Sequence, residues 1–348
     1  MEKKKFTSIS EVGEIGLIGR ITSGVPLCQE STKLAIGDDA AIIQEDKTPQ
    51  LVSVDMLVEG VHFDTSYTPL KHLGYKSIIV NVSDICAMGG IATHALVSLG
   101  IPNKYSVEHI EELYRGVKAA CKNYSLDLIG GDTTASPTGL IVSVTILGKA
   151  SGLLPITRSG AKPNDLVVVS GDLGASYLGL QILEREKAVF EKSQSQQPNL
   201  DAYSYILERQ LKPEARVSVI QDLVQNGIQP TSMIDLSDGL STDLFHICDK
   251  SGVGVKIFEN KLPFSKETIA VAEEMGISTV TCALNGGEDY ELLFTVSQKD
   301  YKKIEKINGI STIGHVLSQA NKMELVSSQG EPLDMSPGGW SSFLKRNI

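Results

Sequence analysis

Cysteine is scarce in this chain, and the few cysteines form no pattern. The five among 348 residues have no CxxC spacing and no histidine pattern beside them. Disulfide frameworks and zinc sites both need closely spaced ligands, so the sequence predicts neither. Most of the thiols stand between apolar residues, which indicates reduced, packed cysteines of a cytoplasmic protein. The cysteines are Cys28, Cys86, Cys121, Cys248 and Cys282.

Long apolar runs and an excess of positive charge are also missing. No stretch approaches the roughly 20 apolar residues of a membrane helix, and the basic start lacks the apolar segment of a signal peptide. The chain has 32 Lys and Arg against 42 Asp and Glu, a formal net charge of −10. Nucleic acids attract basic surfaces, so we expect neither a nucleic-acid nor a membrane partner. A nucleotide stays possible, because metal ions can neutralise its phosphates.

The common phosphate-binding motifs are absent as well. The sequence has no G-x-x-x-x-G-K-[ST] loop, no paired H-R-D and D-F-G segments, and no G-x-G-x-x-G after a strand. It therefore supports neither a P-loop enzyme nor a protein-kinase fold. If this chain binds a polyphosphate, another set of residues must neutralise the charge.

The chain does contain a regular alternation of short apolar runs and amphipathic segments, which is typical of an α/β or α+β fold. Its length exceeds one typical core, and we place the domain boundary in the Gly- and Pro-containing stretch 151–164, which gives domains 1–150 and 151–348. The polar stretch 184–199 is interpreted as an exposed loop. Strands are predicted at 51–55, 94–101, 126–130, 140–148, 166–170, 232–236, 253–258, 291–296, 312–316 and 323–326. Helices are predicted from 68 to 89 and from 106, 173, 201, 213, 240 and 265.

Aspartates in uncharged surroundings are the most informative feature of the sequence. A single Asp beside glycine is more often a turn or a helix cap. Several that converge would repel one another unless cations lie among them. Carboxylates without His or Cys favour Mg²⁺ over Zn²⁺, and several Mg²⁺ ions usually share a polyphosphate ligand. The six principal aspartates are Asp38, Asp55, Asp84, Asp132, Asp235 and Asp238.

Seven segments, in order along nearly the whole chain, resemble the thiamine-monophosphate kinase family, a branch of the aminoimidazole-ribonucleotide synthetase-like superfamily. They are GDDAA (37–41), VSVDMLVEGVHF (52–63), NVSDICAMGG (81–90), GGDTT (130–134), TRSGAKPNDLVVVSGDLGAS (157–176), MIDLSDGLSTDLFHI (233–247) and LNGGEDYELLF (284–294). The resemblance implies a two-domain fold of mixed sheets covered by helices. It also implies a cytoplasmic homodimer, paired through its N-terminal domains, that makes thiamine diphosphate from ATP and thiamine monophosphate.

The resemblance also assigns roles to residues. It implies several Mg²⁺ ions bound by Asp38, Ser53, Val54, Asp55, Asp84, Asp132, Asp235 and Asp238. It implies ATP contacts from Tyr114, Gly131, Asp132, Arg158 and Ser237. Substrate contacts fall to His62, Glu288 and Trp340. No general base is assigned, because the acceptor phosphate is already anionic, and we expect direct in-line transfer.

Other interpretations stay open at this point. Trp340 is also explained as a tail residue packed on the core, His62 as a satisfied histidine, and Glu288 as part of a solvated turn. A sibling enzyme of the superfamily, such as the purine-pathway synthetase, is compatible with the same fold. A non-catalytic nucleotide- or metal-binding protein is a further alternative, although all six aspartates are present.

Overall fold

The computed structural model describes residues 32–34, 37–44, 49–193 and 200–339. Within these residues the chain forms a mixed α/β fold with a six-stranded and a seven-stranded sheet, which confirms the predicted fold class. The strands of the first sheet fall within 32–150 and those of the second within 166–334.

The first sheet is mostly antiparallel. It consists of β1 (Thr32–Leu34), β2 (Ala41–Ile43), β3 (Gln50–Val58), β4 (Gly90–Ile101), β5 (Asp127–Ala135) and β6 (Ile141–Ala150). Their order is β1-β2-β3-β6-β4-β5, and only the β4–β5 pair is parallel. The parallel pair is joined by α2 (Val107–Tyr124), as a parallel crossover requires.

The second sheet lies beyond an irregular connection. Its strands are β7 (Leu166–Ser170), β8 (Ser232–Asp235), β9 (Gly254–Phe258), β10 (Leu292–Val296), β11 (Ile310–Leu317), β12 (Met323–Val326) and β13 (Pro332–Asp334). They follow the order β13-β12-β9-β11-β7-β10-β8, so β8 is an edge strand. The helices of this half are α3 (Ala175–Ser193), α4 (Ser204–Leu211), α5 (Val217–Gln225), α6 (Leu240–Ser251), α7 (Lys266–Met275), α8 (Thr279–Asn285) and α9 (Tyr301–Ile304).

One helix lies between the two sheets and explains how a site forms there. α1 (Leu70–Ala87) is buried along nearly its whole length and shows almost no polar face, as expected of a helix with protein on both sides. It packs on β3, β4 and β6 of the first sheet and also contacts β8 and β10 of the second. Residues near its C-terminal end can therefore reach both sheets.

The predicted elements agree with the structure except in a few places. The loop predicted at 184–199 is wrong over its first part, because α3 continues to Ser193 through residues of high helix propensity. Residues 194–199 lie outside the described part. Short elements without a periodic pattern were not predicted, namely β1, β2, β13, α8 and α9. Cys86, Cys121, Cys248 and Cys282 are buried and unbridged, as predicted, and Cys28 lies outside the described part. Across the described residues, no helix combines the length and apolarity of a membrane span.

The contact between α1 and α2 depends on glycine. A Cβ atom at Gly116 would lie 1.8 Å from the backbone oxygen of Lys71, so Gly116→Ala must push the two helices apart. We expect it to cost about 1–3 kcal/mol in the free energy of unfolding, as overpacking does. Urea denaturation measures the change. Gly130→Ala is the control, since its nearest neighbour would be a Leu96 methyl 3.9 Å away, and an equal loss there would contradict the prediction.

Candidate active site

Three carboxylates converge between the two sheets. One oxygen each of Asp39, Asp84 and Asp235 lies within 4.8 Å of the others, close to the span of about 4 Å between opposite oxygens around one Mg²⁺. The three residues come from the loop before β2, from α1 and from the end of β8. Their donors are all oxygen, the ligand type that Mg²⁺ prefers. The arrangement therefore fits a divalent cation.

α1 positions two neighbouring polar residues toward different sheets. Ser83 donates a 2.6 Å hydrogen bond to Asp235 of the second sheet. Asp84 accepts a hydrogen bond from the Ser53 hydroxyl of the first sheet. The helix thus joins Ser53, Asp84 and Asp235, whose positions in the sequence are far apart.

Asp55 extends this cluster along β3. Its carboxyl group shares a hydrogen bond with Asp84, and burial raises the pKa of Asp55 above its usual value. Burial also raises the pKa of Asp84 well above 3.8, and the charges of Asp55 and Asp235 raise it further. The same causes act on Asp235, where burial comes first and the Asp39 charge second. Such mutual repulsion is what a bound cation relieves.

Arg158 ties the N-terminal loop to the second half of the chain. Its guanidinium group forms two 3.0 Å hydrogen bonds to Asp39, one to each carboxylate oxygen. Its backbone N–H donates to both oxygens of Asp38, at 3.0 and 3.2 Å. Burial and the Asp39 charge raise the pKa of Asp38 to about 6, although the Arg158 backbone N–H opposes them. Arg158 thus lies beside the cluster, with a planar donor group suited to phosphate oxygens.

The turn after β8 brings Ser237 and Asp238 to the same region. Asp243, 1% exposed in the first turn of α6, accepts hydrogen bonds from the backbone N–H groups of Asp238 at 3.3 Å and Gly239 at 3.1 Å. Gly239 has a φ of 112°, which only glycine adopts without strain. Asp243 therefore fixes the turn that carries two of the expected site residues.

Glu288 lies on a strained loop attached to this turn. Its φ is 58°, and Tyr290 also has a positive φ of 51°, a conformation that costs free energy for non-glycine residues. The backbone N–H groups of Glu288 and Tyr290 donate to the carbonyls of Ser237 at 2.7 Å and Leu236 at 2.9 Å. The loop is thus held to the Ser237 turn and is not a solvated turn.

His62 lies at a small cavity of about 20 Å³ between the first sheet and α4. Its Nδ1 accepts a hydrogen bond of 3.1 Å from the backbone N–H of Val58, which fixes the ring on its own turn. Lys76 and Gln210 line the same cavity, and both contact Glu288. The structure therefore brings His62 and Glu288 to a shared region.

Asp132 and Gly131 lie apart from the carboxylate cluster within one chain. β5 is three strand positions from β3, about 14 Å at the usual spacing. Residues paired across the four strands form the row Asp55–Val144–Val97–Gly131, and the Asp55 side chain of this row faces the core. Asp132 belongs to the next row, which contains the exposed Met56, so the Asp132 side chain lies on the opposite face of the sheet. Val54 is also on this outer face, with its side chain 63% exposed, so only its backbone can face the cluster.

Tyr114 lies on α2, the helix that packs against α1. It is half-buried on α2 and lines an open groove of about 710 Å³ with Tyr105, Ile110 and Lys118. Among the described residues, no contact joins this groove to the carboxylate cluster. Tyr114, Gly131 and Asp132 therefore stay predictions, and Trp340 lies outside the described residues.

Sequence reasoning missed several members of the site. Asp39 is in the cluster, whereas the predicted metal ligand was its neighbour Asp38. The Asp-Asp pair in the GDD segment was the available signal, but the sequence does not tell which of the two carboxylates faces inward. Asp243 stands in the quoted Asp-Gly segment and was not singled out. Lys76 and Gln210 carry no local signal, because their partners are far away in the sequence.

Comparison with known proteins agrees with this geometry. Residues 37–150 match the AIR synthase related protein N-terminal domain, and residues 162–321 match the C-terminal domain of the same family. Thiamine-monophosphate kinase of Bacillus subtilis is 33% identical over 95% of this chain and 99% of its own length. The Aquifex aeolicus protein of that name is 34% identical over 96% and 99%.

Solved structures give the same result. The structure described as AaThiL complexed with AMPPCP and TMP covers 97% of this chain and 99% of its own, with a TM-score of 0.83 and 33% identity. Thiamine-monophosphate kinase from Stenotrophomonas maltophilia K279a covers 91% and 96%, with a TM-score of 0.70 and 30% identity. HypE structures below 25% identity share the fold alone. The chain belongs to the AIR synthase related family and, within it, to the thiamine-monophosphate kinases.

Proposed function

We propose that this chain transfers the γ-phosphate of ATP to thiamine monophosphate, the last step of thiamine diphosphate synthesis. The observation that carries this proposal is the match over 97% of the chain to a protein complexed with AMPPCP, an ATP analogue, and TMP. The carboxylate cluster of Asp39, Asp84 and Asp235 supports it, since it is a place for the metal ions of a polyphosphate.

Mg²⁺ is the proposed metal, and several ions share the site. Asp39, Asp84 and Asp235 would hold Mg²⁺ at the centre of the cluster, with Asp55 and Ser53 beside them. Asp38 and Asp238 lie on adjoining loops and belong to the proposed set together with the Val54 backbone. Asp132, on β5, would complete the set across a homodimer interface. Bound Mg²⁺ supplies charge neutralisation, which lets two phosphate groups approach each other.

The residues of the chain provide positioning. Arg158 would hold ATP phosphate oxygens with its planar guanidinium group, as Ser237 would from the turn after β8. His62, Glu288 and Trp340 would place the thiamine part so that the acceptor oxygen faces the γ-phosphorus in line. The acceptor is an anionic phosphate, so direct transfer needs no general base and no phosphoenzyme.

A homodimer formed through the outer face of the first sheet is part of the proposal. Val54 and Met56, two apolar residues of β3 on this face, are 63% and 54% exposed, as expected of a surface that another molecule covers. A second copy would cover it and place Gly131 and Asp132 at the interface, where they would contact ATP. The cytoplasm is the proposed compartment, consistent with four unbridged buried cysteines.

An assay with ATP, Mg²⁺ and thiamine monophosphate tests the proposed reaction. We expect thiamine diphosphate, detected directly by chromatography, from the monophosphate and none from free thiamine. EDTA should abolish the product, because the clustered carboxylates then lack their counter-charge. Free thiamine is the control for the acceptor. Absence of product from the monophosphate, in protein that binds MgATP, would overturn the substrate and favour a sibling reaction of the superfamily.

A further inference from the structure

Lys76 is a buried lysine outside the carboxylate cluster. Its side chain on α1 is 6% exposed, and Nζ lies 2.8 Å from Oε1 of Glu288. Nζ also donates a 3.0 Å hydrogen bond to the backbone oxygen of Gln210. An ammonium group at such a place costs free energy unless it is paired. The fold therefore maintains this charge through two specific contacts.

Gln210 holds the other oxygen of Glu288. Its Nε2 donates to Glu288 Oε2 at 2.8 Å, and its Oε1 accepts a hydrogen bond from the buried Ser176 hydroxyl. The carboxylate fixes which end of the amide faces Glu288, because a carboxylate only accepts. Lys76 and Gln210 thus hold both Glu288 oxygens in one orientation.

The same lysine reaches the cavity beside His62. Lys76, Gln210 and His62 line it together with apolar side chains from β3, α1 and α4. Two of the three N–H donors of Lys76 have partners among the described residues, which leaves one donor for a further acceptor. Lys76 therefore connects the two residues to which substrate contacts were assigned, His62 and Glu288.

The chemistry of the pair matches one part of the proposed substrate. An aminopyrimidine presents a ring nitrogen, which accepts, beside an exocyclic amino group, which donates. Glu288 alone can only accept, whereas Glu288 and Lys76 together offer an acceptor and a donor 2.8 Å apart. We propose that Lys76 is a specificity-determining residue, which donates to the ring nitrogen while Glu288 accepts from the amino group. This inference rests on the proposed function.

Substrate preference is the test that a purely structural lysine would not affect. In the 4′-oxo analogue of thiamine monophosphate, a carbonyl replaces the amino group and the ring nitrogen carries hydrogen, so donor and acceptor are exchanged. Lys76→Met should lower kcat/KM for thiamine monophosphate about 10- to 100-fold, the effect of one charge-assisted hydrogen bond, mainly through KM. KM for MgATP should change less than about twofold, and the preference for the monophosphate over its analogue should fall about tenfold or more.

Two further variants keep the result interpretable. Lys256→Met removes a lysine from an ion pair of 3.1 Å with Glu324 on the far strands β9 and β12, and it should leave the preference unchanged. Lys76→Met with Glu288→Gln leaves no lone buried charge, so it replaces the single variant if that one does not fold. Because Glu288 contacts the amino group itself, the double variant is compared with Glu288→Gln alone, and its preference should be the lower of the two.

The outcomes separate this inference from the proposed function. A wild-type preference retained in the Lys76 variants, with turnover intact, would overturn the role of Lys76 and leave the kinase standing. If the wild-type protein makes no thiamine diphosphate, the proposed function fails, and calorimetric binding of thiamine monophosphate then decides. An affinity for thiamine monophosphate about tenfold or more weaker in Lys76→Met than in the wild-type protein supports the inference. Equal affinities of the two proteins, or no binding to either, would overturn it.

Discussion

Without Mg²⁺, the variant Asp84→Asn should melt at a higher temperature than the wild-type protein, and with Mg²⁺ it should be inactive. The carboxyl of Asp84 lies within 4.8 Å of those of Asp39 and Asp235. Burial first, and then the charges of Asp55 and Asp235, raise its pKa well above 3.8. A carboxyl whose pKa is raised by folding destabilises the fold at every pH above its unfolded-state pKa, and neutral pH lies in that range. Asparagine has the same shape without the charge, so it relieves the repulsion.

Removing one like charge from the cluster is worth about 1–2 kcal/mol, which in a chain of this size corresponds to a rise of about 1–3 °C in the melting temperature. Saturating Mg²⁺, at about 100 times its Kd, should stabilise the wild-type protein by about 2.7 kcal/mol. The variant should lose most of that gain, and its kcat/KM should fall about 10³-fold or more, as with other preorganised charge contacts.

Calorimetric melting at several Mg²⁺ concentrations measures the expected gain in stability of Asp84→Asn without Mg²⁺. The kinase assay measures its expected loss of activity with Mg²⁺. Asp334→Asn is the matched control, since Asp334 is exposed on β13, at the edge of the second sheet opposite β8. It should change neither melting nor turnover. If Asp84→Asn responds to Mg²⁺ at the same concentration as the wild type, the cluster is not the metal site.

The chemistry of this cluster was predictable from the sequence, but its membership was not. Uncharged surroundings marked Asp84 and Asp235 as acids that need a counter-charge, and the structure brings both together. The choice between Asp38 and Asp39 depends on which side of one loop faces inward. That is decided by Arg158, 120 residues from Asp38, whose guanidinium pairs with Asp39. No local pattern contains this information.

The strands and helices were predicted where periodicity is strong, and they differ where it is weak. α3 continues through 184–193, where a loop was predicted. Polar residues of high helix propensity occur both in exposed helices and in loops, so the pattern did not distinguish the two. The position of Asp132 depends on strand order instead. In the sheet, β6 and β4 separate β5 from β3, and this neighbour order does not follow from the order of the strands along the chain.

Glu291→Gln should have the largest effect on stability, a loss of about 3–5 kcal/mol, because it breaks a buried charge network. The Glu291 side chain is 0% exposed and contacts the guanidinium groups of Arg209 and Arg216. It also accepts a 2.6 Å hydrogen bond from the Ser170 hydroxyl. Glutamine keeps the shape but leaves Arg209, which is 10% exposed, without its charged partner.

Urea denaturation of Glu291→Gln and Glu324→Gln compares the same substitution at two depths. Glu324 is 10% exposed, but its partners Lys256 and Lys322 are 31% and 38% exposed. Such ion pairs contribute about 0–1 kcal/mol, so the control should unfold nearly as the wild type does. Equal losses in the two variants would show that burial of the Glu291 network does not matter.

The loss should extend from stability to the site, because Glu291 connects three segments near Glu288. Arg209 donates to the backbone oxygens of Asp172 at 3.1 Å and Asp289 at 3.3 Å, while the Glu291 backbone oxygen accepts from the N–H of Leu236 at 2.8 Å. A Cβ atom at Gly171 would lie 2.1 Å from Glu291 Oε1, so the carboxylate occupies space that only this glycine leaves open. We therefore expect folded Glu291→Gln to show a raised KM for thiamine monophosphate, with KM for MgATP nearly unchanged. That division follows because the side chains of the network hold the Glu288 loop, whereas Glu291 contacts the end of β8 through its backbone, which glutamine keeps.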